Sequence, residues 1–366
     1  MHFHPPPENR RQAALAIPAR MMRFSSNVLS GLGIIKGIGR DLHELKIPKN
    51  IIMLCGNSSF RVGGKAVRDA LDSYGFDVEV ISDGIRPAVA EADALVESMK
   101  RRGKKRMALL GVGGGGTLDV SKYVASRLGM PLIAVPTLLS SDAIATGYSV
   151  LWSDRKNSAV ASMVPSVIIG DYEVLKNEPK RFVSSGAGDM LSKYSALNDW
   201  RLSFWLGGEP YSDFAMNIAQ STTELLKRRI SDVAAMNYIG IETLFLAEIT
   251  DGYLMELSGT TRVAAGSEHL FAFALETLTE SALHGELCGL GTIMMTYLQS
   301  RERGEVKSLL KSVGAPTSAE EAGVKPAEVV KALTMAHRMR NWYTVLGANG
   351  LSEGAAERLA RYTGIT

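Results

Sequence analysis

A doubly wound α/β domain followed by an all-helical domain is the fold class this sequence predicts, and three observations predict it. Short apolar runs alternate with helical patterns through the first half. Four consecutive glycines, Gly113 to Gly116, stand where one such run meets a helical pattern. After about residue 180 the texture changes to long segments of helical periodicity with few β-branched runs.

The runs at 51–55, 77–81, 107–112 and 131–135, with a shorter one at 167–169, fit strands of a buried parallel sheet. Helical patterns at 64–74, 87–102 and 118–128 lie between them. Strand and helix alternating at this spacing argue for an open sheet covered on both faces. In the second half, 184–201, 212–229, 231–256, 266–281, 285–302 and 326–344 read as helices. Pro179 marks the junction. The expected organisation is an N-terminal arm (1–22), a nucleotide-binding α/β domain (23–178) and a helical metal and substrate domain (179–366).

Composition narrows the function classes. Of 366 residues, 46% are hydrophobic and 22% charged, which excludes a disordered or collagen-like chain. The net charge of +3 is too small for a nucleic-acid binder acting through bulk charge. No apolar run reaches the length of a membrane span. Cys55 and Cys288, both in apolar surroundings, are no disulfide framework, so a reducing, cytoplasmic setting is expected. The apolar stretch 13–17 is too short for an export signal. His2 and His4 beside three prolines read as solvated tail, not as a metal site.

Three constellations carry chemistry. Gly113, Gly114, Gly115, Gly116 and Thr117 follow a strand and open a helix. Glycines let a phosphate approach the backbone, and a helix N-terminus offers free N–H groups. The pattern is neither the Rossmann fingerprint nor a P-loop, and pyrophosphate binding is favoured over a flexible turn. The next strand ends in Thr137, Leu138, Leu139, Ser140, Ser141 and Asp142. Ligands of open sheets sit at the carboxyl ends of strands, so Thr137, Ser140 and Asp142 face the same cleft or form an ordinary polar loop. Asp189, taken alone, reads as a first-turn helix acid.

His269 and His284 are 15 residues apart, or about 22 Å on one straight helix, so they meet only if the chain turns. Leu278 to Leu283 offers that turn, with Thr279 and Ser281 as cap candidates. Two imidazoles and a carboxylate make a three-ligand catalytic zinc set. The alternative is a core histidine and a helix-end histidine.

The chain resembles the sn-glycerol-1-phosphate dehydrogenase branch of the iron-containing alcohol dehydrogenase and dehydroquinate synthase-like superfamily. The residues that carry the resemblance are the glycine loop with Asp119 and Lys122, then Val135-Pro136-Thr137 with Ser140 and Asp142. Gly188-Asp189, Gly266-Ser267-Glu268-His269 and Leu283-His284-Gly285-Glu286 with Cys288-Gly289 complete it, from about Met22 to Thr344.

The resemblance implies one Zn²⁺ on Asp189, His269 and His284, and NAD(H) or NADP(H) on Gly113 to Thr117 and Thr137 to Ser140. It also implies a cofactor contact at Thr146, where the family has serine, and substrate contacts at Asp142 and Asp189. The implied reaction is reduction of dihydroxyacetone phosphate to sn-glycerol 1-phosphate, a lipid-backbone precursor. A glycerol dehydrogenase and a dehydroquinate synthase-like lyase are the rival readings. The lyase typically places glutamate where Asp189 stands. A non-catalytic binding protein is disfavoured by the complete ligand set.

Family members often carry a second, substrate-contacting histidine where this chain has Phe273, which shares the face of His269 and is expected at the substrate but relays no proton. Lys193, four residues after Asp189, is a candidate for the substrate phosphate. Arg340 is a second candidate, although a solvated head is the expected reading there. The stretch Gly56 to Arg61 after the first nucleotide-domain strand holds no acid, so both NADH and NADPH are expected. A homo-oligomer is expected.

Overall fold

The computed structural model describes residues 22–25, 27–83, 85–101, 107–153, 156–300 and 304–366. The expected arm, with His2 and His4, lies outside these residues but for Met22.

Strands β1 (Asn27–Gly31), β2 (Asn50–Cys55), β3 (Asp77–Ile81), β4 (Met107–Gly113), β5 (Leu132–Pro136) and β8 (Val167–Asp171) form one parallel sheet in the order β1-β8-β5-β4-β2-β3. Side chains alternate across it as the pleat requires. Ile51, Met53, Leu110, Val112 and Ile133 face α1 (Ile38–Glu44) and α2 (Lys65–Asp72). Ile52, Leu54, Leu109 and Leu132 face α3 (Val89–Lys100) and α4 (Gly115–Leu128). Both faces are covered, which is why these strands read as unbroken apolar runs.

From β2 the chain moves outward to β3, and from β4 it moves the other way to β5. The order therefore reverses between β2 and β4. The loops after these two strands, starting at Gly56 and Gly114, flank the crevice where such sheets bind ligands.

Helix α1 and three strands of this half lie outside the segments read from the sequence. Edge strand β1 was missed, as was an antiparallel hairpin of β6 (Tyr148–Ser153) and β7 (Lys156–Ala161).

The second half is helical: α5 (Lys180–Leu191), α6 (Lys193–Gly207), α7 (Asp213–Arg228), α8 (Tyr238–Ser258), α9 (Ser267–Glu276), α10 (His284–Ser300), α11 (Glu305–Val313), α12 (Pro326–Met335) and α13 (Glu353–Thr363). Three expected helices are corrected. The 184–201 segment breaks at Ser192 into α5 and α6. The 231–256 segment breaks at Met236, whose φ is 51°, and Asn237 then caps α8 through Gly240 N. The 326–344 helix stops at Met335 and a further 3₁₀ turn ends at Arg338. Beyond it the backbone is taken by tertiary bonds. Arg262 Nη2 donates to Tyr343 O at 2.8 Å, and Val345 N donates to Asp199 Oδ1 at 2.7 Å.

Candidate active site

The glycine loop sits at the end of β4, and α4 begins at Gly115, three residues earlier than expected. Gly115, Gly116 and Thr117 are thus the helix's first turn, with N–H groups that have no partner within the helix. Space decides the glycines. A Cβ on Gly113 would lie 2.7 Å from Thr117 Cβ, and one on Gly114 2.7 Å from Leu138 Cδ1. The backbone is therefore bare toward the crevice, which suits close approach of a pyrophosphate.

Thr137 N donates to Gly113 O at 3.0 Å, tying the two strand ends together. Leu138 packs on Gly114, while the Leu139 side chain is fully buried in the helical core. Both Glu178 oxygens accept from Leu139 N, at 3.1 and 3.0 Å. Burial pushes the Glu178 carboxyl up to about 8, against the opposing pull of that amide. Lys122 is fully buried, pairs with Asp119 at 2.8 Å, and donates to Ala143 O and Thr146 Oγ1. It fixes the loop that carries Asp142 and Thr146.

The metal candidates are brought together by helix crossings that only glycine permits. A Cβ on Gly285 would lie 1.9 Å from Ser185 O, and one on Gly188 2.4 Å from Gly285 O. Helices α5 and α10 thereby touch backbone to backbone, and Asp189 meets His284. Asp189 lies at the end of α5, not in a first turn, so the reading of it as an N-terminal helix acid is corrected. The chain does turn between α9 and α10, with Thr279 Oγ1 2.9 Å from Ser281 Oγ. His269 and His284 then stand with ring centroids 5.2 Å apart.

One ligand atom each from Asp189, His269, His284 and Cys288 lie within 4.8 Å of one another. Each imidazole is held from behind by a carboxylate. His269 Nδ1 is 2.9 Å from Glu268 Oε1, and His284 Nδ1 is 2.6 Å from Glu276 Oε1. With the protons on Nδ1, both Nε2 atoms point inward as lone pairs, the arrangement of carboxylate–histidine–metal triads. Asp189 is 1% exposed, and its Oδ1 receives no hydrogen bond although His269 Nε2 lies 3.3 Å away.

Burial alone would favour neutral rings. Cys288, Asp189 and Glu268 outweigh it at His269, and Cys288 and Glu276 outweigh it at His284, so both sit well above the ordinary histidine value. Burial would likewise raise the Asp189 carboxyl, but Lys193 and the two histidines hold it low. Such a field attracts a cation. The donor set therefore fits a divalent metal.

A cavity of about 490 Å³ joins the two regions. Gly115, Gly116, Ser140, Asp142, Thr146, His269, Phe273, His284 and Arg340 all line it. Asp142 N donates to Asp189 Oδ2 at 3.3 Å. Burial, then Asp189 and Asp251, raise the Asp142 carboxyl well above its usual range. The hairpin missed in the sequence supplies a wall through Tyr148, Val150 and Trp152. Phe273 stacks on His284 at 5.9 Å and carries the Arg340 guanidinium 5.0 Å above its ring.

Lys193, the first candidate for the substrate phosphate, is set back from this cavity. It is 3% exposed and does not line the cavity. Its ammonium pairs with Asp251 at 2.8 Å and donates to Asp189 O at 3.1 Å. Burial alone would lower its pKa, but Asp251, Asp189 and Asp142 raise it, so it stays charged. Arg340, against expectation, is the cation among the described residues that reaches the cavity.

A nucleotide crevice at a sheet's reversal, facing a helical Asp/His/His cluster across one cavity, defines an alcohol dehydrogenase of the metal-containing type. A family model described as iron-containing alcohol dehydrogenase matches residues 30–179. A glycerol-1-phosphate dehydrogenase [NAD(P)+] of Methanosarcina acetivorans is 35% identical over 94% of this chain and 96% of its own length. A protein of the same name from Staphylothermus marinus is 37% identical over 90% of this chain and 99% of its own. The chain belongs to the glycerol-1-phosphate dehydrogenase family of that superfamily. In fold it is similar to glycerol dehydrogenase of Schizosaccharomyces pombe, with a TM-score of 0.75 at 21% identity, covering 94% of this chain and 90% of that one. No helix among the described residues is long and apolar enough to cross a membrane.

Proposed function

We propose that this chain reduces dihydroxyacetone phosphate to sn-glycerol 1-phosphate with NADH or NADPH, at a zinc held by Asp189, His269 and His284. The observation that carries the reading is one cavity lined both by the first turn after the glycine loop and by the two carboxylate-backed histidines. The relatives' printed names support the reaction. The nicotinamide supplies the hydride, and the metal supplies Lewis-acid stabilisation of charge developing on the ketone oxygen.

The chain's own residues do the rest. Gly115, Gly116 and Thr117 present N–H groups to the pyrophosphate. Thr137 holds the glycine strand's end, and Ser140 and Thr146 line the cofactor side. Asp142, beside Asp189, contacts the substrate and passes the proton that completes the alcohol. Arg340, seated on Phe273, meets the substrate phosphate as a charge-assisted donor. Lys193 keeps Asp189 ionised from behind. The hairpin wall excludes water from the cavity.

Purified protein should contain zinc at about one ion per chain and oxidise NADH and NADPH with dihydroxyacetone phosphate. Efficient turnover of the free ketone without preference for its phosphate would turn the assignment to a glycerol dehydrogenase. Turnover of neither, with no metal bound, would remove it.

A further inference from the structure

The metal cluster contains a donor that the proposed zinc set leaves unused. Cys288 follows His284 by four residues on α10, so the two side chains share one helix face. Its Sγ lies 3.5 Å from His284 Nε2, and it is fully buried. We propose that Cys288, as thiolate, is a fourth protein ligand of the metal, turning the Asp/His/His set into an O,N,N,S set that prefers zinc to harder divalent ions. This rests on the reading that Asp189, His269 and His284 hold a metal.

The distances support it. Metal bonds of about 2.0–2.3 Å place neighbouring ligands of a tetrahedron roughly 3.3–3.7 Å apart. Two separations in the cluster already fall there, 3.3 Å from Asp189 Oδ1 to His269 Nε2 and 3.5 Å from His284 Nε2 to Cys288 Sγ. Every other pair lies within 4.8 Å, so a small inward shift closes the figure. The outer nitrogens of both histidines are occupied by Glu268 and Glu276, leaving both Nε2 atoms and the sulfur to converge. The orphaned, buried Asp189 Oδ1 is the oxygen aimed at the same point.

Cys55 shows what a structural thiol looks like here. It lies on β2 in the apolar core with no ligating neighbour in a cluster, and burial pushes it up to about 11. Cys288 instead faces two imidazoles. On binding, its S–H bond breaks, the proton leaves to solvent, and the sulfur lone pair forms the metal bond without redox change. Thiolate selects soft and borderline ions, so zinc is favoured over magnesium or manganese. Four protein donors would fill a tetrahedron, so a substrate oxygen would join by the expansion to five ligands that zinc undergoes in some transition states.

The test is to strip the protein with a chelator, reload it with Co²⁺, and record the near-ultraviolet spectrum beside the bound-cobalt content. A thiolate-to-cobalt charge-transfer band is expected in the parent and in Cys55→Ala, and its loss in Cys288→Ala and Cys288→Ser. Zinc affinity of Cys288→Ala, read by competition with a chromophoric chelator, should fall at least as much as the 10–100-fold cost of losing an outer-shell partner. One cobalt per chain without that band, or a band that survives in Cys288→Ala, overturns the proposal and leaves the three-ligand reading standing. Absence of bound cobalt in the parent overturns both. The parent spectrum decides even if neither variant folds.

Discussion

The two walls of the cavity recognise by different means. On the nucleotide side the working surface is main chain: Gly115 and Gly116 present a bare helix start behind strand ends packed too tightly for a Cβ. On the metal side it is buried side chains: Asp189, His269 and their carboxylate partners, balanced by the single ammonium of Lys193. A main-chain surface needs room, and its charge is fixed by the fold. A side-chain surface needs exact charge compensation, and losing one member exposes the others. Substitutions should therefore act on the two walls in different ways.

The largest effect is expected at His284. His284→Ala should abolish turnover and lower bound metal well below one per chain while the circular dichroism spectrum stays native, because the sheet's cores do not include the metal cluster. Normal activity with full metal content would break the comparison.

Lys193→Ala removes the cation facing buried Asp251 and Asp189 and the cavity-lining Asp142. Stripping one partner from a buried pair costs about 3–5 kcal/mol, read as a lower urea midpoint. The activity loss should be the same for dihydroxyacetone phosphate and dihydroxyacetone, since Lys193 does not line the cavity. A loss confined to the phosphate would return Lys193 to the substrate.

Arg340→Ala should show the opposite pattern. kcat/KM should fall roughly ten- to hundredfold, about 1.5–3 kcal/mol, for the phosphorylated substrate only. Equal loss on both substrates would remove the clamp.

At neutral pH the activity should be least sensitive to Glu178, whose effect is read as a pH slope. Its folded carboxyl titrates at about 8 against an ordinary 4.5. Between those values the folded chain keeps a proton that the unfolded chain has lost, so stability falls as pH rises through that window. Glu178→Gln, which can still accept from Leu139 N, should flatten the decline in denaturation midpoints from pH 5 to 8. An unchanged slope would assign the decline to other groups.

The sheet was legible because buried parallel strands write themselves as apolar runs, as at Ile51 to Cys55 and Leu132 to Val135. Strand β1 was not, being a half-exposed edge of five residues with a serine and a glycine. The hairpin was hidden for another reason. Tyr148, Val150 and Trp152 put their bulk toward the cavity while Ser149 and Leu151 are buried behind them, so the strand shows no polar and apolar alternation. His269 and His284 were singled out by their separation and the turn between them, and Asp189 joined them only through the resemblance. Their convergence depends on the Gly188–Gly285 crossing, which no local pattern announces. Cys288 had a usable signal, its four-residue spacing from His284 on one helix. The end of α12 was misread because periodicity continues past Met335, whereas Arg262 and Asp199, far away in sequence, claim the backbone.

The contact of Gly188 with Gly285 also sets a timetable. Within the proposed Asp/His/His set the first residue, Asp189, precedes the second imidazole, His284, by 284 − 189 = 95 residues. At roughly 5–20 residues per second, a ribosome exposes that carboxylate about 5–19 seconds before the second imidazole exists. Until α10 has been made and pressed against α5, Asp189 is one acid among many and has no hold on an ion. A metal on these residues would therefore be captured only once α10 has been made.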